Sequence, residues 1–194
     1  MKIKKVLFLA PPAITLKTVR DINPLPPMGL GYLAAVLRQM NIEVKILDCL
    51  MRGWKTETEA DNLFIRVGLT EKEIEEQIKE FNPDLVGISC QFSRQYKIYH
   101  RMFALVKRVK NECVTIGGGA HVTACPQEVL EDPDCDFILS GEAEASFRDF
   151  VVKLNQGMDL SSVDGLGWKR EGKIHLNNKT GWINDLDSIL FPAY

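Results

Sequence analysis

Short apolar runs that alternate with amphipathic helical patterns narrow the possible folds of this chain most. Candidate strands occupy residues 4–9, 44–47, 85–89, 114–116 and 137–139. Between them, apolar residues recur at helical spacing. Leu30, Leu33, Leu37 and Met40 mark a helix over residues 28–40, and Ile98, Met102, Leu105 and Val109 mark another over 94–110. Thr70-Glu71-Lys72-Glu73 reads as a capping box that opens a helix with Ile74, Ile78 and Phe81 on one face; Asn82-Pro83 ends it. A short helix follows Pro126, and a last one carries Phe147, Phe150, Val151 and Leu154 before Gly157. Strands separated by helices imply a parallel sheet covered on both faces. Right-handed crossovers then predict a doubly wound, flavodoxin-like α/β sandwich of five parallel strands, order 2-1-3-4-5. That order places a ligand crevice at the carboxyl ends of strands one, three, four and five.

Residues 1–157 form this sandwich. Residues 52–69 show little regular pattern and read as a variable stretch. After Gly157, residues 165–170 and 173–176 flank Glu171-Gly172, a hairpin signal. Residues 158–194 are too few to build a core, so they must lie on the sandwich or on something else.

Of the 194 residues, 45% are hydrophobic, enough for one core without disulfide or metal staples. A net charge of −2 gives no electrostatic reason to expect nucleic acid. No apolar run approaches the ~20 residues of a membrane helix. The start, Lys4-Lys5 followed by Val6-Leu7-Phe8-Leu9-Ala10, has a faint secretory look, but Pro11-Pro12 cuts it short, and a buried first strand fits better. Cysteines at 49, 90, 113, 125 and 135 are odd in number and scattered, which argues against a disulfide scaffold and against a local iron–sulfur or zinc site. A reduced, cytoplasmic protein is expected, with Cys49, Cys113 and Cys135 as small core fillers.

Gly29-Leu30-Gly31-Tyr32-Leu33-Ala34 fits G-x-G-x-x-A, with Asp48 at the end of strand two. A dinucleotide fingerprint needs its first glycine in the turn directly after strand one. Here residues 10–28, five of them proline, intervene, so close helix packing is the better reading. Gly117-Gly118-Gly119 at the end of a central strand is a stronger signal. Either it is a permissive turn, or something bulky lies against bare backbone. Ser89 and Gly141 end the neighbouring strands with equally small residues, so the three loops would open a narrow slot for a flat or rod-like group. Glu142 and Glu144 suit a helix N-terminus, and Glu142 also points toward the crevice. Of the three histidines, only His121 falls in a ligand-facing loop; His100 lies on the basic face of its helix, expected to be solvated. That face carries six Lys or Arg, either solvated or docking a partner.

Five segments in order now resemble a known family: Pro26-Pro27-Met28-Gly29-Leu30-Gly31-Tyr32-Leu33-Ala34, Pro83-Asp84-Leu85-Val86-Gly87-Ile88-Ser89, Gly117-Gly118-Gly119-Ala120-His121-Val122-Thr123, residues 136–144, and the closing residues 186–192. Over nearly its whole length the chain is similar to the N-terminal cobalamin-binding domain of cobalamin-dependent radical SAM proteins, a group that includes methyltransferases and the anaerobic magnesium-protoporphyrin monomethyl ester cyclases. The resemblance implies a corrin over the carboxyl edge of the sheet, with its nucleotide tail in the slot. Ser89, Cys90 and Gln91 would meet the tail, Gly117, Gly118 and Gly119 would line it, with His121 on the same loop, and Gly141 and Glu142 would hold its ribose or amides. Pro11 and Pro12 would begin the loop under the corrin.

The family's catalytic domain carries C-x-x-x-C-x-x-C, and this chain stops before any such motif. The resemblance therefore implies a non-catalytic module whose 4Fe-4S cluster and S-adenosylmethionine belong to an absent radical SAM domain. Residues 158–194, with Trp168, Trp182, Phe191 and Tyr194, would be a hairpin and linker toward it. The D-x-H-x-x-G of the methionine-synthase type is missing, so cobalamin is expected base-off and without a histidine ligand. The alternative reading is a sensory or regulatory α/β module that binds another small ligand.

Overall fold

The computed structural model describes residues 2–19 and 24–193. In chain order, its first half contains β1 (Lys5–Ala10), β2 (Ala13–Leu16), α1 (Met28–Gln39), β3 (Glu43–Asp48), α2 (Cys49–Arg52), β4 (Glu57–Glu59), β5 (Phe64–Val67) and α3 (Glu71–Phe81). The second half contains β6 (Leu85–Ser89), α4 (Tyr96–Val109), β7 (Val114–Gly118), α5 (Ala120–Ala124), α6 (Pro126–Glu131), β8 (Phe137–Leu139), α7 (Glu144–Gln156), β9 (Leu166–Arg170) and β10 (Lys173–Leu176).

Among the described residues the central sheet has seven strands, not five, in the order β10-β9-β8-β7-β6-β1-β3. The run from β3 to β8 is parallel. The hairpin does not stand apart from it: β9 pairs antiparallel with β8, Leu166 opposite Leu139. A three-residue β8 is a short edge with unpaired backbone groups, and β9 covers it. The stretch read as variable also differs from expectation, because β4 and β5 join β2 in a second, three-stranded antiparallel sheet. Its signal was present but brief: Ile65 and Val67 are buried and alternate with Phe64 and Arg66.

Strand β1 shows how the sandwich is built. Val6 and Phe8 pack on one face with Leu30, Ala34 and Leu37 of α1 and Phe147 and Phe150 of α7. Leu7 and Leu9 pack on the other with Ile74 and Ile78 of α3 and Met102, Leu105 and Val106 of α4. Alternate side chains reach opposite faces, and both faces are covered, so the strand reads as a continuous apolar run. Cys49, Cys113 and Cys135 are fully buried core fillers.

Helix α3 begins with the expected capping box. Thr70 Oγ1 accepts from the Glu73 amide at 3.3 Å, and Glu73 Oε2 accepts from the Thr70 amide at 2.7 Å. Thr70→Ala is expected to cost about 1 kcal/mol, seen as a lower denaturant midpoint at unchanged m-value. The basic face of α4 is solvated, with Arg101 and Arg108 keeping 68% and 56% of their side-chain exposure, and four of its six basic residues also have partners inside the chain. Arg101 pairs with Glu71, and Arg108 with Glu75 at 2.5 Å, both acids on α3. Lys107 reaches Asp136 at 2.6 Å, and Lys110 reaches Asn82 at 2.7 Å. His100, by contrast, is not simply solvated: its Nδ1 lies 2.6 Å from Asp132 Oδ2. Burial raises the Asp132 carboxyl, but the His100 contact, the Asp134 amide and the Lys169 charge together outweigh it and leave that group below its usual range. No described helix is long and apolar enough to cross a membrane.

Candidate functional site

The carboxyl ends of β1, β6, β7 and β8 open into two adjoining cavities. The narrower is a slot of about 180 Å³ between the sheet and helices α1 and α7. Phe8, Leu30, Leu33 and Phe147 give it apolar walls; Ser89, Gln91 and Glu142 give it polar points; Gly117, Gly118, Gly119 and Gly141 leave its backbone bare. The wider is a basin of about 680 Å³ lined by Pro11, Pro12, Leu25, Pro26, Pro27, Met28, Cys90, Phe92, Arg94 and Gln95, among others. Gly29, Leu30, Ser89 and Gln91 border both, so slot and basin are continuous.

The three successive glycines have three different jobs. A Cβ on Gly117 would collide with the Tyr99 hydroxyl and press on Phe103 Cζ at 3.3 Å, so this glycine admits α4 against the sheet. Gly119 has φ +102° and would place a Cβ 2.5 Å from the Cys90 carbonyl oxygen, so it serves the turn into α5. Only Gly118 faces free space: its nearest neighbour would be Leu139 O at 4.0 Å. The permissive-turn reading therefore fits Gly119, and the bare-backbone reading fits Gly118.

Main-chain bonds hold these loops in register. The Cys90 amide donates to Gly118 O at 2.9 Å, and the Cys90 carbonyl accepts from the His121 amide at 3.1 Å. Thr123 Oγ1 accepts from the Gly141 amide at 2.9 Å. Burial pushes the Cys90 thiol up to about 11, which removes it as a thiolate near neutral pH. Burial raises the Asp48 carboxyl at the basin's side, partly offset by the Met51 amide at 2.9 Å.

Of the residues expected in the site, Pro11, Pro12 and Cys90 line the basin, Ser89 and Gln91 line both cavities, and Gly117, Gly118, Gly119, Gly141 and Glu142 line the slot. His121 does not line either. It is 3% exposed, its Nδ1 lies 3.1 Å from Ser93 Oγ, and its Nε2 is buried without a hydrogen-bond partner. It sits in the first turn of α5, which directs it inward against the Tyr99 ring, 6.1 Å between centroids. Gly29 also departs from expectation: no atom lies within 4 Å of a Cβ built there, so it borders the cavities and is not a packing glycine.

Sequence reading missed the apolar walls from α1 and α7, which looked like ordinary core positions. It also missed Gln95, whose amide clamps the loop after β1. Gln95 Oε1 accepts from the Ile14 amide and Nε2 donates to the Ile14 carbonyl, both at 2.9 Å. Nothing local in the sequence links residues so far apart.

A doubly wound sheet with a glycine-lined slot and an adjoining basin at its carboxyl edge defines a ligand-binding α/β domain. The slot suits a flat group: apolar walls a ring can stack on, open backbone at Gly118, and few polar points to fix orientation. This chain belongs to the B12 binding domain family, whose profile matches residues 22–151. It is 36% identical to cytidylyl-2-hydroxyethylphosphonate methyltransferase of Streptomyces wedmorensis, an alignment covering 98% of this chain and 40% of that enzyme. Two solved structures share the fold at 18% identity. One is the radical S-adenosylmethionine methyltransferase TsrM from Kitasatospora setae with cobalamin and a 4Fe-4S cluster bound, TM-score 0.69, covering 100% of this chain and 32% of that one. The other is the cobalamin-dependent S-adenosylmethionine radical enzyme OxsB with aqua-cobalamin bound, TM-score 0.72, covering 98% and 24%. The chain thus spans less than half the length of these relatives.

Proposed function

We propose that this domain holds cobalamin with its nucleotide tail in the slot and its corrin over the basin. It would present the cobalt to a following radical SAM domain for methyl transfer or related radical chemistry. The observation that carries this reading is Gly118: bare backbone with open space above it, at the floor of an apolar slot that joins a basin several times larger. Bound cobalamin would supply a cobalt centre able to carry a methyl group. The chain's own residues bind and orient. Phe8, Leu33 and Phe147 would sandwich the base of the tail, and Ser89 and Gln91 would bond to its polar atoms. Glu142 would accept from ribose hydroxyls or corrin amides. Pro11 and Pro12, pinned through Ile14 by Gln95, would floor the corrin.

In this reading residues 1–157 are the binding domain, and residues 158–194 lead toward the radical SAM domain. The cluster and S-adenosylmethionine belong to that domain. Cobalamin would be base-off, since a tail held in the slot keeps its base away from the metal. No histidine lines the basin, and His121 is walled off behind Ser93 and Tyr99.

Titration of the purified chain with hydroxocobalamin should show saturable, equimolar binding. Failure to bind would return the domain to the sensory reading. Electron paramagnetic resonance of bound cob(II)alamin should show cobalt hyperfine lines without nitrogen splitting, unchanged in His121→Ala. Nitrogen splitting that vanishes in His121→Ala would make His121 the lower ligand and defeat the base-off, histidine-free assignment.

A further inference from the structure

The chain that leaves β10 is fastened to both walls of the slot. On the α7 side, one carboxylate gathers four donors. Asp164 accepts from Lys179 Nζ at 2.7 Å, from the Thr180 amide at 2.7 Å and hydroxyl at 2.9 Å, and from the Gly181 amide at 3.2 Å. Lys179 and the backbone donors hold that carboxyl well below the usual carboxylate range. Lys179 Nζ also reaches Ser146 Oγ of α7 at 3.2 Å. Its stem lies over Gly141, where a Cβ would come within 3.0 Å of Lys179 Cγ. Farther along, the Ile183 amide donates to Glu142 Oε2 at 3.0 Å, and Glu142 lines the slot. On the opposite side, the Ala193 amide donates to Gly31 O at 3.0 Å, on the helix that supplies Leu30 and Leu33 to the other wall.

We propose that residues 177–193 form a clasp that joins the two walls of the slot, sets its width and retains the ligand's tail. This inference rests on the cobalamin reading and adds to it a role for Asp164 and Lys179, which line neither the slot nor the basin. The physical argument is mechanical and electrostatic. The Ile183–Glu142 and Ala193–Gly31 bonds lie on one segment and tie the turn that leads into α7 to α1, so widening the slot beyond the slack of residues 184–192 breaks one of them. The Asp164–Lys179 pair, with side chains 28% and 12% exposed, fixes the clasp between β10 and Glu142 through charge-assisted bonds. Glu142 is the shared element. One of its oxygens anchors the clasp, and a ligand hydroxyl or amide on the other would strengthen the same hydrogen-bonded chain. Occupancy of the slot and the placement of the chain leading onward are therefore coupled, and the coupling is reciprocal.

The test uses the full chain and hydroxocobalamin. Asp164→Ala and Lys179→Met should each keep the parent's circular dichroism and release bound hydroxocobalamin about tenfold faster in a competition experiment. In the parent chain, saturating hydroxocobalamin should slow hydrogen exchange at the Ile183 and Ala193 amides; this measurement needs no variant and decides the matter if either variant misfolds. Parent-like release from both folded variants, or unchanged exchange at Ile183, would overturn the clasp while cobalamin binding by the parent stands. A parent chain that does not bind hydroxocobalamin would overturn the underlying reading instead, and the clasp with it.

Discussion

Gly118→Val is expected to abolish hydroxocobalamin binding while the protein stays folded. The wild-type glycine ends β7 beside Ser89 of β6, and a Cβ there meets nothing closer than Leu139 O at 4.0 Å. The Cβ of a valine is therefore accommodated without shifting the protein, and β-branched residues suit a strand. Its two methyl groups would occupy the floor of the slot where the tail must lie. Loss of affinity by more than about 100-fold, equivalent to about 2.7 kcal/mol, is expected from blocking a site of this kind. The melting temperature should move by no more than about 2 °C, as for a substitution that neither opens a cavity nor overpacks a core. Calorimetric titration and a thermal melt on the same sample check both halves. Undiminished binding by a folded Gly118→Val would remove the tail from the slot.

The same substitution one residue earlier should do the opposite kind of damage. Gly117→Val forces a side chain into the Tyr99 hydroxyl and Phe103, both fully buried on α4. Helix α4 is packed into the core through Met102, Leu105 and Val106, so it has little freedom to lift away. Overpacking of this severity costs about 3 kcal/mol. In a chain of this size that lowers the melting temperature by roughly 6–12 °C. Saturating hydroxocobalamin should restore part of the loss, because a ligand that binds only the folded state stabilises by mass action. A Gly117→Val protein as stable as the parent would mean that Tyr99 has room to turn aside, and that the close approach of α4 to β7 is not required. Gly118→Val and Gly117→Val thus separate ligand binding from folding at adjacent positions.

The parallel strands and their helices were legible because their signals are local. A buried strand shows a run such as Val6-Leu7-Phe8-Leu9, and a helix shows Ile74, Ile78 and Phe81 at its own period. The capping box at Thr70 is likewise contained within four residues. The glycine-rich loop could be singled out for the same reason. The small sheet of β2, β4 and β5 escaped because its strands are three or four residues long, and β2 finds its partner β5 only some fifty residues further along the chain. The partners of the basic face on α4 escaped too, since Arg108 and Glu75 meet only when two helices pack side by side.

What the amino-acid order determined by itself is the five parallel strands with their main helices and the edge at which a ligand can enter, because each follows from periodicity, chain connectivity and handedness. Only the tertiary structure decided which glycine serves which purpose, since Gly117, Gly118 and Gly119 are chemically identical and differ only in what lies opposite each Cα. It alone turned His121 inward, through the direction in which α5 leaves the strand. And it alone brought Asp164 to Lys179, Ile183 to Glu142 and Ala193 to Gly31. Contacts between residues far apart in the chain depend on the relative placement of packed elements, and no local pattern of side chains encodes that placement.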